Sequence, residues 1–529
     1  MKGLRMDATQ KPQAVLLRPD DNVAVAVGAL AKSQTVDLGH DIQFDTVDFV
    51  RPGHKFATCA IAEGEPIRKY GQTIGFASKP IEQGEWVHVH NCGADAFDRD
   101  YEYATDIPST PTSSEEYTFK GYPRADGRAG TRNYLAIVST VNCSASTSKL
   151  IADNFPKDEL AKYENVDGLL PITHKTGCGM QFDGGDHQQL NRVLAGFARH
   201  PNVGAYLIVG LGCEVAQSSH LVESQQLVTV EGLGGSSNGN GSNGQQPVMI
   251  NIQDEGGVKK TVDAGVEAIR KMLPQVNDIQ RVDVPASKLV LGMECGGSDG
   301  NSGITANPAV GVASDLIVAQ GGTTILGETP EIYGAEHLFT RRAVRRDVGE
   351  KLIERIRWWE WYTRTFNAEI NNNPSPGNKE GGLTTIYEKS LGAVAKGGSA
   401  PLNSVLEYAE PATTPGLAIM DTPGYDATSL TGIVAGGANV CVFTTGRGSV
   451  YGCKPSPCIK IATNSLLYER MPDDMDINAG RVLEGTSLED MGRAIFEDIL
   501  AVASGKLTKS EAQGLGEEEF SPWIVGPVL

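Results

Sequence analysis

The chain is short of the features that would place it in a membrane, on nucleic acid or outside the cell. No run of 18 apolar residues occurs in its 529 residues, so no transmembrane helix is expected. The opening segment Met1-Lys-Gly-Leu-Arg-Met-Asp has no apolar core of the kind a secretion signal needs, and the cytoplasm is the expected compartment. Acidic residues outnumber basic ones by 65 to 46, for a net charge of −19, and no basic stripe interrupts them, which argues against a nucleic-acid partner. An anionic substrate would need a local basic site. The nine cysteines lack the spacing of a disulfide framework, so in a cytosolic chain they bind metal, do chemistry or pack. There is no Gly-x-Ser-x-Gly elbow, and the glycine-bearing strand ends carry neither the dinucleotide fingerprint nor the P-loop lysine.

What is present is a recurring address for cysteine. Cys143, Cys178, Cys213 and Cys295 each end a short apolar run: Leu135–Cys143, Leu169–Cys178, Leu207–Cys213 and Leu289–Cys295. Short apolar runs closed by polar or glycine-rich turns read as buried strands of a parallel sheet. Ligands of open α/β sheets lie outside the carboxyl ends of such strands. The pattern therefore predicts four soft side chains around one crevice.

The expected architecture is α/β: a small β-rich domain followed by two layered α/β units. Residues 14–105 contain strand-like pieces at Asn22–Val27, Thr46–Val50 and Lys55–Ile61, and end in Trp86-Val-His-Val-His-Asn91, an alternating strand that would put His88 and His90 on one face. Residues 106–118 form a polar, proline-bearing linker. Residues 119–285 alternate strands with helices such as Ser148–Phe155 and Gln189–Ala198, and residues 286–529 form the third unit. Helices are expected near Val262–Leu273, Asp347–Phe366 and Leu488–Val502. The helix near Asp347–Phe366 carries Trp358, Trp359 and Trp361 as packing or interface residues. The segment Gly232–Gln246 is low-complexity loop.

Several short segments concentrate chemistry. His174-Lys-Thr-Gly-Cys-Gly-Met-Gln-Phe-Asp-Gly-Gly-Asp-His187 packs two histidines, a cysteine and two aspartates among glycines. Gly210–Glu214 and Glu294–Pro308 each place Cys beside Glu at a strand end. Asn373–Gly382 reads as a rigid, non-helical loop delivering Asn378, Lys379 and Glu380. Thr444–Gly452 delivers Arg447, and Lys460–Ser465 offers Lys460 and Asn464. Arginine and lysine on glycine loops suit a carboxylate or phosphate. Together these groups fit a polar, hydroxylated, anionic small molecule.

At these residues the sequence resembles the altronate dehydratase/galactarate dehydratase family of sugar-acid hydro-lyases. The resemblance is carried by Gly121–Asn133, Gly210–Glu214, Glu294–Gly300 through Thr305–Pro308, Asn373–Gly382 and Thr444–Gly448, and it covers nearly the whole chain. The first unit resembles the SAF-type domain of these enzymes. Its His-Val-His-Asn ending and Asp186-His187 resemble altronate dehydratases, whereas His337–Tyr362 is nearer to galactarate dehydratases. The glycine-asparagine insertion departs from both.

The resemblance implies loss of water from an aldonate such as D-altronate, or alternatively from the aldarate galactarate, to give a 2-keto-3-deoxy acid. It implies Fe2+ or Mn2+ as cofactor, and a homo-oligomer, in the first instance a dimer, with no nucleic-acid or membrane partner. On that basis His174, His187, Glu214 and Lys379 are the expected catalytic residues, with the histidines as base or acid. Arg447, Asn378, Asn464 and Lys460 are the expected substrate ligands, with Lys379 and Arg447 gripping the carboxylate. His88, His90, Glu294 and Asp299 are the expected metal ligands, joined by Cys143, Cys178, Cys213 and Cys295. A competing expectation gives the cysteines to an iron–sulfur cluster held by three of them, with one iron open to the substrate hydroxyl. A non-catalytic sugar-acid-binding protein is the remaining alternative.

Overall fold

The computed structural model describes residues 12–39, 42–95, 99, 101–228 and 246–526. The low-complexity segment, apart from Gln246, lies outside the described residues.

The first domain is built from short antiparallel strands. Ala14–Val15, Val23–Ala26, Lys55–Ala57 and Trp86–Val87 form one sheet, and Pro66–Lys69, Gln72–Ala77 and Cys92–Gly93 form a second. Two expectations change here. Residues 46–50 contribute only a bridge from Val50 to Leu30. The strand at Trp86 stops at Val87, because the Asn91 side chain accepts from the His88 N–H (2.8 Å) and folds 88–91 into a turn.

The second domain is a four-stranded parallel sheet in the order Gly168–Ile172, Tyr134–Ser139, Val203–Gly210, Met249–Asn251. Both faces are covered, which explains the unbroken apolar runs. Leu135, Ile137, Leu207 and Val209 pack against Ile269, Leu273 and Val276 of the helix Val258–Asp278. Ala136, Val138 and Ile208 face Leu194 and Phe197 of the helix Gly185–Ala198 and, beyond it, the third domain. The chain enters and leaves this domain through one antiparallel pair, Thr118–Pro123 with Val282–Pro285.

The third domain carries a seven-stranded parallel sheet in the order Leu402–Leu406, Gly416–Met420, Thr323–Leu326, Val290–Cys295, Val440–Thr445, Cys458–Ala462, Ile477–Asn478. The expected long helices are present at Arg346–Thr365 and Leu488–Ala503. The tryptophans on the first of these divide their work. Trp359 is buried and stacks on Trp523 with centroids 5.3 Å apart, while Trp361 is 55% exposed.

Strand order reverses on either side of Val290–Cys295: the chain first builds outward through Thr323–Leu326 and then returns to add Val440–Thr445 on the other flank. That is a topological switch point, where loops diverge and leave a crevice. The first domain is docked over it. Lys55 Nζ donates to Gly382 O (2.8 Å) and pairs with Glu388 (2.8 Å), and Lys69 Nζ pairs with the other oxygen of Glu388 (3.0 Å). All three side chains are buried. Burial alone would raise the Glu388 carboxyl, but the two ammonium groups outweigh it and hold the carboxyl well below its usual range.

Candidate functional site

The crevice at the switch point is a cavity of about 990 Å³ between the first domain and the third. Its floor is the loop after Val290–Cys295, which supplies Asp299 and Asn301. One wall is the loop after Val440–Thr445, which supplies Arg447. The end of Cys458–Ala462 leads to Asn464, and Arg51 and His54 come from the first domain. Arg470 and Glu380 complete the polar lining.

Asp299 organises this floor. It accepts from Thr463 Oγ1 (2.9 Å), Ser302 Oγ (3.0 Å), Asn464 Nδ2 (3.1 Å) and the Asn301 N–H (3.1 Å). Burial raises its pKa, and those donors work in the opposite direction. Gly446 must be glycine, because a Cβ there would run into the Asp299 carboxylate. Arg447 reaches Glu380 across the mouth at 3.1 Å, with both side chains substantially exposed and free to change partners. The local anion site that an acidic chain needs is therefore present, with Arg51, Arg447 and Arg470 around one cleft.

His54 shows how the first domain is held in this wall. An indole N–H can only donate, so the 3.2 Å contact from Trp86 Nε1 makes His54 Nδ1 an acceptor. The proton is then on Nε2, which donates to Glu380 O at 3.0 Å. Burial lowers the pKa, and the ring is neutral. His88 and His90 both pack on Trp86, at 5.0 and 4.9 Å between centroids. His88 is buried, with Nδ1 unpartnered, while His90 is exposed. The turn at 88–91 replaces the strand that would have put the two on one face.

Behind the same loop lies a buried carboxylate–lysine cluster. Glu294 and Cys295 end the central strand, Glu328 and Glu331 follow the strand Thr323–Leu326, and Asp426 opens the helix Asp426–Ala435. Lys396 Nζ pairs with Glu328 (3.0 Å) and Lys389 Nζ with Glu331 (2.7 Å). Four carboxylates against two ammonium groups leave a formal charge of −2, to be balanced by two protons or one divalent cation. Ligand oxygens of Glu294, Glu328 and Asp426 lie within 4.8 Å of one another, and Oε1 of both Glu294 and Glu328 receives no donor from any other residue, which leaves the two carboxyl groups to share a proton or a cation. Burial and the neighbouring charge of Glu328 raise Glu294 and push Asp426 up to about 7. Burial opposes the ionisation of Glu328 as well, but Lys396 and Lys389 keep its carboxyl below the ordinary value. Glu328 also sits in the left-handed region at φ +61°, a strain that a buried carboxylate needs a reason to hold. Two such oxygens within a set of hard donors fit a divalent cation such as Fe2+ or Mn2+.

Gly296 and Gly297 join cluster and cleft. A Cβ on Gly296 would lie 2.6 Å from Asp426 Oδ2, and one on Gly297 would lie 3.4 Å from Arg447 Cβ.

The remaining expected residues sit elsewhere or are already engaged. The four cysteines do not share one crevice: Cys143, Cys178 and Cys213 are exposed at the carboxyl end of the second domain's sheet, while Cys295 is buried in the third domain's sheet. The single-crevice expectation failed because similar strand ends belong to two different sheets. His174 is a buried loop clasp, with Nε2 donating to Ser139 O (3.0 Å) and Nδ1 accepting from the Thr176 N–H (3.2 Å). Glu214 clasps its own turn, accepting from the Gly212 N–H (2.6 Å) and Thr140 Oγ1 (2.7 Å).

His187 Nδ1 accepts from the Asp183 N–H (2.9 Å), and its Nε2 faces the Asn191 amide (3.2 Å). With the proton on Nε2, turning that amide over satisfies Asn191 Oδ1, otherwise unpartnered. Lys460 is buried within its strand and donates to Tyr451 O (3.0 Å), so it does not line the cleft. The segment expected to be a non-helical loop contains a short helix, Pro376–Glu380, started by a Ser375–Asn378 capping box and proline in its first turn. Asn378 there braces the floor loop through Ser298 O (2.8 Å), and it is Glu380 rather than Lys379 that lines the cleft.

Of the expected residues, the structure thus gathers Asp299, Arg447 and Asn464 at the cleft, with Asn378 bracing it and Glu294 just behind. Sequence reading missed Arg51, His54, Glu328, Glu331, Lys389, Lys396 and Asp426. The lysines had a signal: both lie within the largely apolar stretch Ile386–Ala400.

A parallel sheet with this reversal, capped by a small β domain over a cleft that carries three arginines, defines a three-part α/β protein whose cleft suits a small anion. Three family models divide the chain among them: the SAF domain of altronate/galactarate dehydratases at residues 12–95, the second domain of D-galactarate dehydratase/altronate hydrolase at 121–277, and the C-terminal domain of D-galactarate/altronate dehydratase at 286–528. The altronate dehydratase of Bacillus subtilis (strain 168) is 35% identical over 507 residues, covering 95% of this chain and 97% of that protein. The altronate dehydratase of Escherichia coli (strain K12) is 36% identical over 506 residues, with 96% and 98% covered. The galactarate dehydratase (L-threo-forming) of the same strain is 37% identical over 508 residues, with 94% of each covered. The chain belongs to the altronate/galactarate dehydratase family.

Proposed function

We propose that this protein is a hydro-lyase that removes water from a sugar acid, an aldonate such as D-altronate or the aldarate galactarate, to give a 2-keto-3-deoxy acid. The observation that carries this reading is the glycine turn at 296–297, which sets the buried carboxylates on one side and Arg447 on the other. A carboxylate held by Arg447 and Arg51 would present its C2–H and C3 hydroxyl to the polar floor. Asp299 keeps Thr463 and Asn464 fixed there, and neutral His54 keeps the first domain closed over them. A bound Fe2+ or Mn2+, held by Glu294, Glu328 and Asp426, would supply stabilisation of the negative charge that develops when the C2 proton leaves.

Identities of 35, 36 and 37% to the three relatives do not separate altronate from galactarate. Purified protein should release keto acid from one member of a panel of aldonates and aldarates when Fe2+ or Mn2+ is added. Tight substrate binding without turnover on every member would support a binding protein instead.

Self-association, in the first instance as a dimer, and a cytoplasmic location belong to the same proposal. Trp361 and Phe366, exposed along and just beyond one helix, support the first, and sedimentation of the purified chain tests it. Nine free cysteines support the second. No described helix is long and apolar enough to cross a membrane.

A further inference from the structure

Cysteine is among the residue types most often buried, yet four of the nine free cysteines here are exposed. Cys59 stands alone on the first domain. The other three, Cys143, Cys178 and Cys213, follow three neighbouring strands of the second domain's sheet, and their loops are laced together. The Asn142 N–H donates to Thr176 O (2.9 Å) and the Ala216 N–H to Gly177 O (3.0 Å). Thr140 Oγ1 donates to Glu214, the clasp of the third loop (2.7 Å). Gly177 sits at φ +100°, and a Cβ there would be 2.7 Å from Val141 Cα, so glycine is what lets the Cys178 loop press against the Cys143 loop.

Polar groups surround these sulfurs. Cys143 lies in the first turn of the helix Asn142–Asp153, whose start no side chain caps, so the positive end of the helix dipole is beside it. Gln253 Nε2 donates to Cys213 Sγ at 3.1 Å. The spacing narrows the ligand. Two thiolates bound to one zinc ion at about 2.3 Å each lie at most about 4.6 Å apart. Among the described residues, the metal-ligating groups that close to within 4.8 Å of one another do not include these three cysteines together. Three thiolates spread wider than one ion allows, with no fourth cysteine beside them, match a multi-iron centre.

We propose that Cys143, Cys178 and Cys213 hold an iron–sulfur cluster at the carboxyl end of the second domain's sheet, with three irons bound to the protein and a fourth open to solvent or a small oxygen ligand. This site is separate from the cleft, and its test needs no substrate. The full chain is purified anaerobically, incubated with ferric iron, sulfide and a thiol that reduces part of the iron, and desalted. The expected result is a brown protein with broad visible absorption and matching iron and sulfide contents. Cys143→Ser, Cys178→Ser and Cys213→Ser should each lose the absorption while keeping wild-type circular dichroism, and Cys59→Ser should keep it. The proposal is overturned if the folded wild type takes up no sulfide, if it instead takes one zinc per chain, or if colour survives in the single variants. Keto-acid release is measured separately, so failure of the cluster and failure of the hydro-lyase reading are distinguishable.

Discussion

At the scale of single residues, the cleft makes two kinds of demand. Arg447 is partly exposed and makes one ion pair, so removing it should spare the fold and weaken substrate capture. A charged hydrogen bond is worth about 1.5–3 kcal/mol, so Arg447→Ala should lower kcat/KM roughly tenfold to a hundredfold with an unchanged melting temperature. Glu328 is the opposite case, buried and strained, with one oxygen given to Lys396 and the other left to share a proton or a cation with Glu294. Adding Mn2+ should raise the melting temperature of the wild type, and Glu328→Gln should abolish that shift. An equal shift in the variant would remove Glu328 from the cation site. Arg447 was legible because a guanidinium on a glycine loop has few structural uses in an acidic chain. Glu328 was not, because nothing in a short strand followed by Gly-Glu distinguishes a buried ligand from a surface turn.

At the scale of elements, the first domain is bound to the third by buried charge as well as by apolar contact. Glu388 lies between Lys55 and Lys69, and taking it away leaves two ammonium groups in a dry interface. Glu388→Ala should therefore cost about 3–5 kcal/mol in denaturant unfolding, far more than an exposed pair would. Gly300 presses on Gly53 O with no room for a Cβ. Gly300→Ala should loosen the same interface, read as faster hydrogen exchange across Lys55–Ala57 with little change in the second domain. The elements themselves were largely legible. Apolar runs gave the central strands of both parallel sheets, and periodicity placed the helices at 258–278, 346–365 and 488–503 to within a few residues at most ends. The failures were local and side-chain driven: Asn91 turned an alternating strand into a turn, and Ser375 with Asn378 started a helix where two prolines suggested a rigid loop.

At the scale of the whole molecule, the domains meet through buried neutral histidines. His200 Nε2 donates to Ala438 O of the third domain (3.1 Å), since its Nδ1 accepts from the Asn202 N–H (3.0 Å), and His174 closes the second domain's strand-end loop. Burial lowers their pKa values to about 3 and about 4. Below the ordinary value of about 6.5 the unfolded chain takes up protons that the folded chain refuses, so stability is lost as pH falls from there toward the folded values. Between pH 7 and 5 each histidine should remove about 2 kcal/mol. Urea unfolding at the two pH values should show the loss, and His200→Gln, though less stable overall, should show a smaller one. The sequence by itself determined the three-part α/β organisation, the compact anion-handling chemistry and the family, because periodicity, glycine turns and long motifs are local properties of the chain. Only the tertiary structure decided which strand ends face one another. It sent Cys295 to one sheet and its three look-alikes to another, took His174, Glu214 and Lys460 for internal hydrogen bonds, and assembled Glu294, Glu328 and Asp426 from three strand ends, because strand order in a parallel sheet is set by packing across the whole domain.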